Sequence, residues 1–82
     1  AWNNKGVTLR NLNKFNEALD CYNKAIKIKK NYAWAWHNKG YALESLSRFE
    51  EALVSYQMAL SFRPDNKETS DALKRLNKLL ET

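Results

Sequence analysis

The chain has 82 residues and a formal net charge of +5, and 44% of its residues are hydrophobic. This length allows one small domain, which buries only about 60 to 65% of its unfolded surface. Two Gly and one Pro are too few for a sheet of short strands with tight turns, so the composition favours helices. The single cysteine, Cys21, excludes an intramolecular disulfide and a cysteine-rich metal site.

No apolar stretch approaches the roughly 20 residues that a membrane span requires. No basic start followed by an apolar run marks a signal peptide. We therefore expect a cytoplasmic protein with no membrane partner. The chain opens inside a repeated unit, which indicates a piece of a longer protein.

Two helical patterns occupy the first part of the chain. Small and apolar residues spaced by three or four predict a first helix over residues 1–12. Polar residues break the pattern, and a second helix is predicted over residues 15–29. Four lysines near its end suit the negative end of the helix dipole: Lys24, Lys27, Lys29 and Lys30.

The same pattern then starts again and predicts two further helices. The third is expected over residues 33–46. Ser47 followed by Glu50 fits a capping box, so the fourth helix is expected to start there. It is expected to end near Phe62, because Pro64 disfavours helical geometry in the residue before it.

A fifth helix follows Pro64. Asp65 with Glu68 three residues later is a second capping signal. The helix has one apolar stripe and is otherwise polar, which is typical of a helix that covers the end of a repeat array. The stripe consists of Ala72, Leu73, Leu76, Leu79 and Leu80.

The first helical pair and the second are copies of one unit, because many residues recur 34 positions later. The chain resembles the tetratricopeptide repeat (TPR) family, whose unit has that length and carries aromatic, small and Pro residues at set intervals. The second unit matches in Trp36, Gly40, Phe49, Ala52, Tyr56, Ala59 and Pro64, and the first in Trp2, Gly6, Phe15, Ala18, Tyr22 and Ala25. The resemblance implies an all-α, right-handed α-solenoid with repeat 1 at residues 1–32, repeat 2 at residues 33–66 and a capping helix at residues 67–82.

The glycines of the unit mark places where two helices approach closely. Helices come within about 8 Å only where a side chain is very small. We therefore expect Gly6 to face Ala18 and Gly40 to face Ala52. Overpacking at Gly40 should unfold the chain.

The resemblance also implies a function, since stacked TPR units bind peptides or protein segments in a concave groove lined by the first helix of each pair. Projected onto this sequence, the groove is lined by Asn3, Val7, Arg10, Trp34, His37, Asn38, Tyr41, Glu44 and Arg75, together with Ser45, Asp71 and Lys78. The spacing of His37, Tyr41 and Glu44 supports one common helix face. Trp34 is expected either to be exposed there or to bridge the two repeats.

One type of TPR ligand does not fit. Some members grip a C-terminal carboxylate with Lys, Asn, Asn, Lys and Arg, and the matching places here hold Asn3, Val7, Asn38, Glu68 and Ala72. Glu68 would repel a carboxylate, so we do not expect a receptor for chaperone tails of that type.

Charge supports two alternative functions. Residues 1–39 carry a net charge of +6 and residues 40–82 a net charge of −1. A basic first repeat could attract an acidic protein segment, RNA or another polyanion. RNA is the weaker hypothesis, because Lys24 and Lys27 are expected on the outer face, away from the groove aromatics. The first helix could also associate with another copy of the chain through Val7 and Thr8.

Enzymatic activity is not expected. The sequence contains no glycine-rich phosphate loop, no pair of carboxylates in an apolar setting and no nucleophile with a base. His37 is the single histidine, without cysteines nearby, so neither a metal nor another cofactor is predicted.

Overall fold

The computed structural model describes residues 2–81, and within them the chain forms five α-helices and no strand. The helices are α1 (Trp2–Asn11), α2 (Phe15–Ile28), α3 (Ala33–Ser45), α4 (Phe49–Phe62) and α5 (Lys67–Glu81). Each helix packs on the next one, and α1 also contacts α3. The all-α prediction is confirmed. The predicted helix ends at Ala1 and Thr82 lie outside the described residues.

The turns inside the two helical pairs have the same hydrogen bonds. Asn13 and Ser47 have positive φ angles of 62° and 60°. The following amide, of Lys14 or Arg48, donates to the carbonyl of Leu9 or Leu43, each at 2.8 Å. This arrangement closes α1 and α3 with a Schellman motif.

The capping box predicted at Ser47 is therefore wrong. Ser47 belongs to the closure of α3, and α4 begins at Phe49 without a side-chain cap. Arg48 instead makes two hydrogen bonds to the Glu51 carboxylate, at 2.9 and 2.7 Å. The cap predicted at Asp65 is also wrong, because the side-chain oxygen of Asn66 accepts from the Thr69 amide at the start of α5.

The main core joins both repeats to α5. Its buried residues come from four helices: Ala18, Leu19, Tyr22, Ala42, Leu43, Ala52, Tyr56 and Leu76. A second cluster of Ala25, Ile26 and Ala35, with Tyr32 and Trp36 packed against it, lies between the repeats. The Trp36 indole also donates to the Lys30 carbonyl at 2.8 Å, which fixes the connection from α2 to α3.

Each glycine lies against a tyrosine ring. A Cβ added at Gly40 would come within 2.8 Å of the Tyr56 ring, and one at Gly6 within 2.5 Å of the Tyr22 ring. The side chains nearest to the glycines are therefore the tyrosines, which the prediction of Ala52 and Ala18 did not include. A helical side chain leans toward the N-terminus of its helix, so a tyrosine one turn after the alanine covers the surface opposite the glycine.

The fifth helix covers the end of the array with only part of its predicted apolar stripe. Leu76 is fully buried, and Ala72 and Leu73 pack against the core. Leu79 and Leu80 remain 51% and 41% exposed. Over residues 2–81, every helix is too short or too polar to cross a membrane.

Candidate functional site: a groove lined by α1, α3 and α5

An open cavity of about 410 Å³ lies between α3 and α5. It is lined by His37, Tyr41, Tyr56, Glu68, Asp71, Ala72 and Arg75. Two aromatic side chains of α3 are half-exposed, Trp34 at 46% and Tyr41 at 45%. We use the term groove for this cavity together with Trp34 and the adjoining surface of α1.

Glu44 is held in place by two neighbours at the floor of the groove. The Tyr56 hydroxyl donates to its carboxylate at 3.0 Å, and Arg75 donates two hydrogen bonds to it at 2.9 and 3.0 Å. Burial raises the pKa of Tyr56, and the negative charge of Glu44 raises it further. The hydroxyl therefore remains a donor, and Glu44 and Arg75 neutralise each other.

His37 joins α3 to α5. Its Nδ1 lies 2.9 Å from the Thr69 hydroxyl, and its ring packs edge-on against Trp34 with 5.8 Å between ring centroids. Burial lowers the pKa of His37, although Glu68 acts in the opposite direction. His37 is therefore neutral at physiological pH and adds no positive charge to the groove.

The α1 side of the groove carries a chain of hydrogen bonds. The Asn38 side-chain amide donates to Oδ1 of Asn3 at 3.1 Å, and the Asn3 side-chain amide donates to the Tyr32 hydroxyl at 3.4 Å. Arg10 donates to Asn38 at 3.4 Å and places its guanidinium 4.8 Å from the centre of the Tyr41 ring. Both asparagines are buried, so their amides tie α1 to α3.

Comparison with known proteins identifies the family. The tetratricopeptide repeat model matches residues 1–32 and 33–66. The chain belongs to the tetratricopeptide repeat family. A comparison with curated protein sequences gives no match.

Solved TPR structures share the fold. The first TPR of Spaghetti (RPAP3), bound to the HSP90 peptide SRMEEVD, superposes with a TM-score of 0.95 at 27% identity and covers 99% of this chain and 66% of that chain. The Arabidopsis OM64 TPR domain gives 0.91 at 35% identity, covering 94% and 64%. The second TPR domain of human RPAP3, in complex with the HSP70 peptide SGPTIEEVD, gives 0.88 at 24% identity, covering 93% and 63%. The chain thus spans slightly less than two thirds of each, and the predicted all-α TPR solenoid is confirmed.

The structure brings His37, Tyr41 and Arg75 together at the cavity and joins Arg10, Asn38 and Asn3 by hydrogen bonds. The predicted groove residues differ in their exposure. Trp34, Tyr41 and Arg75 present exposed surface, as do the flanking Ser45, Asp71 and Lys78. Four others are partly buried and contact neighbouring side chains: Val7, Arg10, His37 and Glu44. Asn3 and Asn38 are buried at the base.

Two residues of the site, Thr69 and Tyr56, were missing from the sequence prediction, and Glu68 was named there only as a residue that would repel a carboxylate. Glu68 lies 34 residues after Trp34, so the repeat period was a signal that α5 presents it beside the groove. Tyr56 follows the core pattern of its repeat, and no sequence signal indicates that its hydroxyl reaches Glu44.

Lysines cover aromatic rings in the basic part of the TPR array. The ammonium groups of Lys5 and Lys24 lie 5.3 and 4.4 Å from the Trp2 ring centre, and that of Lys29 lies 5.5 Å from the Tyr32 ring centre. These rings are occupied by cation–π contacts. Within residues 2–81, no three His, Cys, Asp or Glu side chains are placed to hold a metal ion.

Proposed function

We propose that this TPR chain is a non-enzymatic interaction module that binds an extended segment of a partner protein in the groove. The observation that carries this proposal is the open cavity between α3 and α5 beside the half-exposed Trp34 and Tyr41. Exposed Trp and Tyr side chains are frequent anchors of binding energy. The floor beneath them is held by Glu44, Tyr56 and Arg75, so a ligand meets a preformed surface.

Two of the similar structures support a peptide ligand, because each holds a chaperone peptide. The ligand of this chain is proposed to differ from those peptides in how it is held. Val7 and Ala72 stand where the carboxylate-gripping type has Asn and Arg, and Glu68 stands where it has Lys. We propose that the groove accepts an internal segment.

Charge on the α1 side favours an acidic residue in that segment. Arg10 stands over Tyr41 at the groove surface, and residues 1–39 have a net charge of +6. Opposite charge steers association and fixes the position of a ligand more than it adds affinity. An Asp or Glu of the ligand is therefore proposed to lie near Arg10.

A library of random linear dodecapeptides displayed on phage tests this proposal. The recovered peptides, synthesised with blocked ends and a fluorescent label, should bind wild type, and Tyr41→Ala and Trp34→Ala should each weaken binding by about tenfold. Val54→Ala is the matched control, because Val54 is an exposed apolar residue of α4 that does not line the groove. Thermal melts establish that the variants fold.

Recovery of no specific peptide, or equal binding by wild type and both groove variants, would contradict the proposal. RNA remains the alternative from another class, although the lysine contacts that occupy Trp2 and Tyr32 disfavour base stacking there. Tight binding of labelled single-stranded RNA at physiological salt would favour it. Concentration-dependent sedimentation abolished by Thr8→Glu would favour self-association, since Thr8 is exposed on α1.

A further inference from the structure

The α5 side of the groove is acidic. Glu68 and Asp71 line the cavity and are both exposed. Within residues 2–81, neither carboxylate forms an ion pair. The cavity therefore presents two negative charges on a wall of α5.

The remaining charged and polar groups around the cavity do not cancel those two charges. Arg75 is the cation of the lining, and it is already bonded through two nitrogens to Glu44. His37 is neutral because burial lowers its pKa, and its Nδ1 is engaged with Thr69. Arg10 stands over the Tyr41 ring at the α1 side and, within residues 2–81, forms no ion pair with either carboxylate. Glu68 and Asp71 can therefore attract an incoming cation from the α5 side.

The apolar part of the cavity suits a long side chain with a charge at its end. The Tyr41 ring and Ala72 line the space beside the two carboxylates. Lys and Arg pack their alkyl stems along apolar surface while the charged head reaches outward. A short acidic or apolar side chain would use only part of these contacts.

We propose that this cavity accepts a Lys or Arg side chain of the bound segment, with its charged head between Glu68 and Asp71. The proposal rests on the proposed peptide-binding function and adds a partner class to it: an extended segment with an acidic residue near Arg10 and a basic residue in the α3–α5 cavity. Arg10 lies in the α1–α3 interface, one helix away. A spacing of about 10 Å between neighbouring helices corresponds to about three residues of an extended chain. The acidic and the basic residue of the ligand are therefore expected about three residues apart.

The dodecapeptides recovered from the library test this inference directly. They should share a Lys or Arg about three residues from an Asp or Glu. Replacing that Lys or Arg by norleucine should weaken binding to wild type by about three- to tenfold, the range expected for two partly exposed charge pairs. The loss should shrink at high salt.

Protein variants assign the effect to the two carboxylates. The double variant Glu68→Gln with Asp71→Asn should bind the original peptide and the norleucine peptide equally. Glu17→Gln is the matched control, because Glu17 is also in the first turn of a helix, α2, and does not line the groove. Asp71→Lys should bind tighter to a peptide that has Glu in place of the basic residue, which separates charge recognition from a change in folding.

The inference is overturned if the norleucine peptide binds wild type as tightly as the original, or if Asp71→Lys does not exchange the charge preference. In that case the loss of binding in Tyr41→Ala would still support the proposed function. Failure to recover any specific peptide would overturn both.

Discussion

The two repeats place tyrosines at equivalent positions and surround their hydroxyl groups differently. Tyr56 in repeat 2 donates to Glu44, which Arg75 also binds. At the position of Glu44, 34 residues earlier, repeat 1 has Arg10, and within residues 2–81 the buried hydroxyl of Tyr22 has no hydrogen-bond partner. The repeated residues thus determine where the rings lie, and a residue outside the shared pattern determines whether the hydroxyl is satisfied.

The same difference divides the groove. Glu44 and Arg75 neutralise each other at the α5 side, which leaves Glu68 and Asp71 to set the charge there. Arg10 faces Asn38 and Tyr41 at the α1 side, which remains basic. The α1 side therefore presents positive charge to a ligand, and the α5 side presents negative charge.

The largest expected effect concerns the contact between a glycine and a tyrosine ring, which both repeats share. Gly40→Leu should remove about 3 kcal/mol or more of folding stability, because its side chain would overlap the Tyr56 ring. Gly6→Leu should cost less, since α1 contacts α2 and α3 and can move away, whereas α3 contacts α1, α2 and α4. Thermal and urea unfolding measured by circular dichroism would compare them. A native-like melt for Gly40→Leu would contradict this packing.

The second prediction tests the hydroxyl groups. Tyr56→Phe should lower the free energy of unfolding by about 1 kcal/mol, because it removes a donor to Glu44. Tyr22→Phe should be neutral or stabilising, because the buried hydroxyl has no partner within residues 2–81. Urea unfolding of the two matched variants provides the comparison. Equal losses in both would show that Tyr22 finds an acceptor in solution, such as a bound water.

The fold could be predicted from the sequence because its signals are local or periodic. The 34-residue period and the three- and four-residue spacing placed every helix. The start of α4 was missed because Ser47 and Glu50 fit a cap, whereas the closing hydrogen bonds of α3 take Ser47 into a left-handed conformation. Two local signals competed, and the sequence carried no measure of which one is stronger.

The groove was predictable only in outline. Helix periodicity indicates which side chains leave the same face, and it put Tyr41 on a face with His37 and Glu44, where its ring is 45% exposed. The sequence left Trp34 open between exposure and a bridge to the first repeat, and the structure leaves it 46% exposed. The contact between Glu44 and Arg75 joins residues 31 positions apart and depends on side-chain rotamers and on the distance between α3 and α5. Neither quantity is encoded in spacing along one helix.

The smallest expected effect concerns the two equivalent turns. Ser47 and Asn13 both have positive φ, a conformation that costs most residues about 1 to 2 kcal/mol and Asn less. Gly adopts it freely but loses about 0.5 to 1 kcal/mol through its more flexible unfolded state. Ser47→Gly should therefore stabilise the protein by less than about 1 kcal/mol, and Asn13→Gly should change little. Thermal melts of both variants measure the difference. A destabilised Ser47→Gly would mean that its side chain contributes to the turn after all, and that the hydrogen bond from Arg48 to Leu43 is insufficient to hold it.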